Sequence, residues 1–187
     1  YNNQFNKMFT AGTPHNGAVD AYPVWSAGDS TNSDLVEKIV LSLLLKRCGA
    51  TSQNSRTVLR DKVPSVRDLL PVFDYLRDRK TDIPKSVNGM DAKNEWLLGN
   101  SFSWPYWGVE IGTLAGNYYS TLAELTVAEA TNKEIQNGDW LDGKPAGKKY
   151  KLNGDGTVLL SSAQLIGADN RWIWQKHAYL VSSAAGM

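Results

Sequence analysis

Asn6-Lys7-Met8-Phe9-Thr10-Ala11-Gly12-Thr13-Pro14-His15-Asn16-Gly17 sets the frame for the rest of the chain. Its first half is a short, mostly apolar run of the kind that forms a buried strand. Its second half is rich in residues that end one: Gly12 and Gly17 enclose Thr13, Pro14 and His15, which predicts a tight loop directly after the strand. Further on, residues 109–114 alternate and predict a second strand broken by Gly116, and residues 171–175 predict another. Residues 118–127 fit either a strand pair or a strand and a turn, and periodicity does not decide between them. Helical signals lie between the strands. Asp34 with Glu37 resembles a capping box ahead of a nearly all-apolar helix over 35–47, with Lys46 and Arg47 in its last turn and Gly49 as its stop. Shorter helical pieces are predicted over 65–71, 93–98 and 178–184. Strands mixed with helices and long excursions predict an α/β class rather than an all-β sandwich.

The 187 residues are 42% hydrophobic and 21% charged, which fits one globular domain. Twenty basic against nineteen acidic side chains leave a net charge of +1, so no overall charge excess points to nucleic acid or to an acidic membrane surface. Residues 46–80 hold nine basic and four acidic side chains, read as a solvated face rather than a phosphate site. The longest apolar run, 39–45, is interrupted by Ser42 and is far short of the ~20 residues a spanning helix needs, so no transmembrane segment is predicted. Cys48 is the single cysteine, which excludes an internal disulfide and leaves no cluster for a structural zinc. The chain opens on Tyr1 with no signal-peptide pattern and reaches its first strand almost at once, which predicts that it was cut from something longer.

Two segments carry the chemistry. Asp155 sits between two glycines in Asn153-Gly154-Asp155-Gly156, ahead of an apolar segment. Glycines there let the backbone turn sharply and keep bulk away from the carboxylate. Such a carboxylate can accept a hydrogen bond from an imidazole, fix its tautomer and stabilise its protonated form. His177, one of only two histidines, follows 22 residues later, a length that can bring the chain back to the same sheet edge. The plain alternatives are that Asp155 is a turn residue and that His177 is a surface or capping residue.

Gly12-Thr-Pro-His-Asn-Gly17 resembles the loop after strand six of α/β-hydrolase lipases, and Gly154-Asp-Gly-Thr-Val158, with Ser161 and Ser162 after it, resembles the acid-bearing loop of their lecithin–cholesterol acyltransferase-like branch, which includes bacterial lipases and relatives of the glycosylphosphatidylinositol inositol-deacylases. Val66-Arg-Asp-Leu-Leu-Pro71 is similar to a segment of the cap insertion of that branch, and His177 stands where its catalytic histidine is expected. The four segments come in the family order. The resemblance implies the C-terminal half of an α/β-hydrolase sheet over residues 1–187, with a helical, Trp-rich cap insertion over about 27–108. It implies Asp155 and His177 as the acid and base of a Ser-His-Asp triad, and a lipid or other carboxylic ester as substrate. The family's nucleophile is a serine in Gly-x-Ser-x-Gly, and no such motif occurs here; the nearest, Val24-Trp-Ser-Ala-Gly28, lacks the first glycine and follows the Thr-Pro-His loop. The nucleophile and the N-terminal half of the sheet are therefore expected upstream of Tyr1, as the partner of this half.

The remaining residues are read beside that resemblance. Thr13, Pro14, His15 and Gly17 are taken as a structural loop; His15 is either a rim residue or, the preferred reading, a ring that holds the turn. Trp96, Trp104 and Trp107 are either an aromatic wall for an acyl chain or the core of the cap. No cofactor and no metal are predicted, because no oxygen or histidine cluster has ligand spacing. The rival to an esterase or acyltransferase is a catalytically inactive hydrolase-fold module that binds without turnover. The chain alone is expected to be poorly soluble or oligomeric, because the strand near residues 5–11 has an open edge. The residues assign no compartment; the resemblance alone suggests an exported bacterial enzyme.

Overall fold

The computed structural model describes residues 6–29, 47, 55–100 and 108–182. In chain order they form β1 (Lys7–Ala11), α1 (Ala21–Ala27), α2 (Ser55–Lys62), α3 (Ser65–Asp68), β2 (Leu76–Asp78), β3 (Pro84–Lys85), α4 (Glu95–Gly99), β4 (Glu110–Gly116), β5 (Tyr119–Ala128), α5 (Asn132–Gln136), β6 (Lys144–Gly154), α6 (Leu160–Ala163) and β7 (Asp169–Ile173). The helix predicted over 35–47, Cys48, Trp104 and Trp107 lie outside the described residues, apart from Arg47.

The strands make two sheets, and the content is α/β as the sequence predicts. The first sheet is parallel throughout, in the order β1-β4-β7. Lys7–Ala11 pairs with Glu110–Leu114, and Gly112–Gly116 with Asp169–Ile173, so all three strands end on one side. The second sheet is mixed, in the order β3-β2-β5-β6. Here the expectation of a helical insertion over 27–108 needs correction: β2 and β3 come from that stretch, and β2 lies parallel to β5 across Leu76–Leu125. The charged run over 73–80 hides this strand because Leu76 alone of its three residues is fully buried, while Arg77 and Asp78 are spent at its rim on Glu124 and on the turn amides of Lys80 and Thr81.

The connection between the sheets positions the site. β4 leaves the first sheet at Gly116, and β5 begins the second at Tyr119. The long antiparallel partner β6 then brings the chain back, so that Gly154 pairs with Tyr119 and Asp155 bridges to the same residue. The β5–β6 hairpin is thus an excursion whose two ends meet at the C-terminal end of β4. Residues 119–128 form one strand, which settles the ambiguity left by periodicity. Gly116 does not break β4 but ends it. A Cβ there would run into the Gln175 carbonyl oxygen and the Asp155 Cβ, so only glycine lets three chain segments meet at this point.

The main core lies against the second sheet. Tyr22, Leu59, Leu70, Tyr75, Leu76 and Leu125 are fully buried there. Tyr22 and Tyr75 pack edge to face with ring centroids 5.8 Å apart, and each buried hydroxyl donates to a carbonyl, that of Gly143 at 2.6 Å and that of Ala92 at 2.9 Å. These bonds offset the cost of burying the phenols. Burial also pushes both phenol pKa values well above the ordinary tyrosine value. A smaller cluster of Ala115, Val158 and Ala163 seals the junction behind Asp155.

Candidate active site

Asp155 and His177 meet at the C-terminal ends of the parallel strands. His177 Nδ1 lies 2.8 Å from Asp155 Oδ2. The His177 backbone amide also donates to the Asp155 carbonyl oxygen at 2.9 Å, so main chain and side chain are joined at one point. Asp155 is 1% exposed, whereas the His177 side chain is 38% exposed. The second carboxylate oxygen, Oδ1, accepts the amides of Thr157 at 2.9 Å and Val158 at 2.7 Å. The turn after Asp155 therefore aims the carboxylate, and the sequence dictates this locally. Gly156 takes φ 95°, and its amide donates to Thr121 Oγ1 at 2.9 Å. An ionised carboxylate accepts only, so opposite one the shared proton belongs to His177 Nδ1, which leaves Nε2 as the ring nitrogen able to take a proton.

Glycine is required beside the imidazole. Gly12, at φ 63°, closes β1, and its amide donates to the Leu114 carbonyl at 2.8 Å. A Cβ on it would lie 2.8 Å from His177 Cε1 and 2.9 Å from Nδ1, so the glycine ending β1 opens the space the ring occupies. Gly116 does the same for Asp155. The sequence marks a turn at Gly12 and a strand break at Gly116, but no local pattern connects either glycine to the pair. Thr121 was missed altogether, because nothing in an alternating strand marks one threonine as a turn support.

The loop over Thr13, Pro14, His15 and Gly17 is tied on both sides. His15 Nε2 lies 3.0 Å from Thr10 Oγ1, Asn16 Nδ2 donates to the Ser161 carbonyl at 3.1 Å, and Ser162 Oγ donates to the Gly17 carbonyl at 2.5 Å. Burial lowers the His15 pKa from its ordinary 6.5, which favours the neutral ring that the Thr10 bond suits. The same loop lines a cavity of about 800 Å³, to whose walls Asp155 and His177 do not contribute. Thr13, His15 and Asn16 line one side, Asn94 and Trp96 another, and Gln164 to Ile166 a third. Asn94 caps α4 by accepting the Leu97 amide at 3.0 Å and donates to the Asp68 carbonyl at 2.8 Å, which fixes α4 as a wall. Trp96 is 63% exposed and so is not cap core; it stands at the cavity wall.

Among the described residues no group of His, Cys, Asp and Glu is placed to hold a metal ion, and no helix is long and apolar enough to cross a membrane. Of the two described serines that meet this loop, Ser162 is fully buried with its hydroxyl on the Gly17 carbonyl, whereas Ser161 is exposed and meets Asn16 through its carbonyl. No protein-family model and no curated protein matches the chain.

Proposed function

We propose that this chain supplies the acid and base of a Ser-His-Asp triad in an α/β-hydrolase acting on carboxylic esters, lipid esters first among them. The single observation that carries this reading is the contact between His177 Nδ1 and a buried Asp155 carboxylate, at 2.8 Å, on the end of a parallel β1-β4-β7 sheet. The family resemblance supports it. The reading needs a serine from polypeptide preceding residue 1, carried by a strand beside β1.

In this mechanism the serine hydroxyl attacks the ester carbonyl carbon while His177 Nε2 takes its proton. The C–O bond to the alcohol then breaks, and the imidazolium returns the proton to the departing alkoxide. Water repeats the two steps on the acyl-enzyme and releases the acid; an acceptor alcohol in its place gives acyl transfer. Asp155 holds the ring and stabilises its protonated state throughout without itself taking the proton. The cavity lined by Thr13, His15, Asn94 and Trp96 receives the acyl or alcohol portion, with Trp96 as an apolar wall.

The test is turnover of short and long p-nitrophenyl esters by the natural polypeptide that contains these residues. Asp155→Asn and His177→Ala are expected to abolish it. Retention of hydrolysis in both variants overturns the assignment, and a well-folded parent without any turnover favours a binding module built on the same fold.

A further inference from the structure

We infer that the aromatic cluster of Tyr118, Trp172 and Trp174 is a docking surface for an anionic lipid bilayer. The inference does not rest on Asp155 and His177 being catalytic. Trp172 lies on β7, Trp174 just beyond it and Tyr118 between β4 and β5. They are 47%, 73% and 53% exposed, yet they are mutually ordered, with both indoles edge to face with Tyr118 at 5.4 and 5.9 Å. Tyr118 also has φ 68°, which a bulky side chain rarely adopts, and Asn117 Oδ1 holds it there by accepting its amide at 2.8 Å. The chain thus keeps three large rings in water at a conformational cost.

The surroundings decide what the rings meet. Sugar recognition by stacked rings also needs polar groups left over for hydroxyls, and here the nearby acceptors are engaged by the protein's own groups. Asn117 serves Tyr118, Asp169 serves Arg171 at 2.8 Å, and Gln175 Oε1 accepts the Lys176 amide at 3.0 Å. What remains is cationic. Lys176 Nζ lies 5.8 Å over the ring of Tyr119, and β5 and β6 carry Lys148, Lys149 and Lys151 against one glutamate, Lys144 at their far end being paired with Glu134. That glutamate, Glu124, is engaged by Arg77 at 2.9 Å and Lys149 at 3.8 Å, while Lys151, which forms no ion pair with it, stands opposite Thr121 at the Tyr119 end of β5, beside the exposed Leu152. Lysine is depleted from protein–protein interface cores, whereas lysine with exposed Trp and Tyr suits the headgroup zone of an anionic membrane.

The experiment is co-sedimentation of the protein with phosphatidylcholine vesicles, with and without phosphatidylserine, at two salt concentrations. Binding is expected with phosphatidylserine and is expected to weaken with salt. Trp172→Ala with Trp174→Ala reduces it by roughly tenfold or more, and Lys151→Gln with Lys176→Gln by roughly thirtyfold. Ile83→Ser, which removes an equally exposed apolar side chain on the β2–β3 turn, leaves binding unchanged. Each variant is checked by its melting curve, so that loss of fold is not read as loss of docking. Failure of the folded parent to bind phosphatidylserine vesicles overturns the inference. So does binding that the tryptophan pair does not affect, or self-association that the tryptophan variants abolish without any vesicle binding. A soluble ester assay on the same variants is expected to be unchanged, which separates this outcome from the fate of the proposed triad.

Discussion

Replacing Asp155 by asparagine separates a structural role from a catalytic one, because the two predict effects of different size. Asp155 accepts three hydrogen bonds: from Thr157 and Val158 to Oδ1, and from His177 Nδ1 to Oδ2. Asparagine has nearly the same shape and keeps an oxygen for the two amides, but these bonds lose charge assistance, roughly 1 kcal/mol each. Against this, a fully buried carboxylate no longer has to be held away from water, which offsets part of the loss. The net cost to folding is therefore about 1–2 kcal/mol. The effect on the imidazole is of another kind. The asparagine amide faces Nδ1 as a donor, so Nδ1 must give up its proton and Nε2 must carry it. Nε2 is then no base, and in a triad this costs about 10⁴-fold in kcat, or about 5.5 kcal/mol of transition-state stabilisation. The assays are denaturant unfolding, the ¹⁵N pattern of the His177 ring, and ester turnover by the natural polypeptide. A tautomer switch with a turnover loss thousands of times larger than the stability loss explains is the expected result. Turnover that falls less than about tenfold, or a His177 ring that keeps its Nδ1 proton, refutes the reasoning. Asp155→Ala, which also leaves the buried Val158 amide without its acceptor, costs folding more, about 3–5 kcal/mol.

Other outcomes follow from the same geometry. Gly12→Ala strains a left-handed residue by about 1–2 kcal/mol and pushes a methyl against His177, so it detaches the ring from Asp155; a His177 ring spectrum unchanged from the parent contradicts this. Burial holds His15 below its ordinary 6.5, so the unfolded chain binds the extra proton first. The stability this contributes is present above pH 6.5 and is lost as pH falls through the lowered native value. Unfolding midpoints at about pH 7.5 and about pH 5.5 are expected to differ more in the parent than in His15→Gln. Glu134, held down to about 2 chiefly by Lys144 and then by the Thr131 amide, closes the capping box of α5. Its contribution is complete above the ordinary 4.5 and disappears as pH falls through about 2, so the amide protection of α5 fades over that window in the parent and shows no such step in Glu134→Gln.

The sequence was most legible where local chemistry decides the outcome. The run from Lys7 to Ala11 forms a strand and the loop after it forms as expected, because a β-forming segment closed by glycine has few other choices, but the strand is not buried as its apolar residues suggest: Phe9 is 61% exposed. The turn at Gly154 to Gly156 and the short helices α3 and α4 are local in the same sense. The second sheet was not legible. β2 has three residues, and its place is set by Leu76 meeting Leu125 from a distant strand, which no local pattern records. The contact of Asp155 with His177 was reached by resemblance, since spacing alone leaves a turn aspartate and a surface histidine. What brings them together is the β5–β6 excursion, which returns the chain to the end of β4, and the two glycines that leave room there. Gly116 was read as a strand breaker because a glycine's packing role depends on what approaches it.

The most direct measurement is fluorophosphonate labelling of the natural polypeptide that contains residues 1–187, with mapping of the labelled peptide. The account predicts label on one serine lying before residue 1, lost in His177→Ala and strongly slowed in Asp155→Asn. A folded polypeptide that takes no label, or one whose labelling is indifferent to His177, contradicts it.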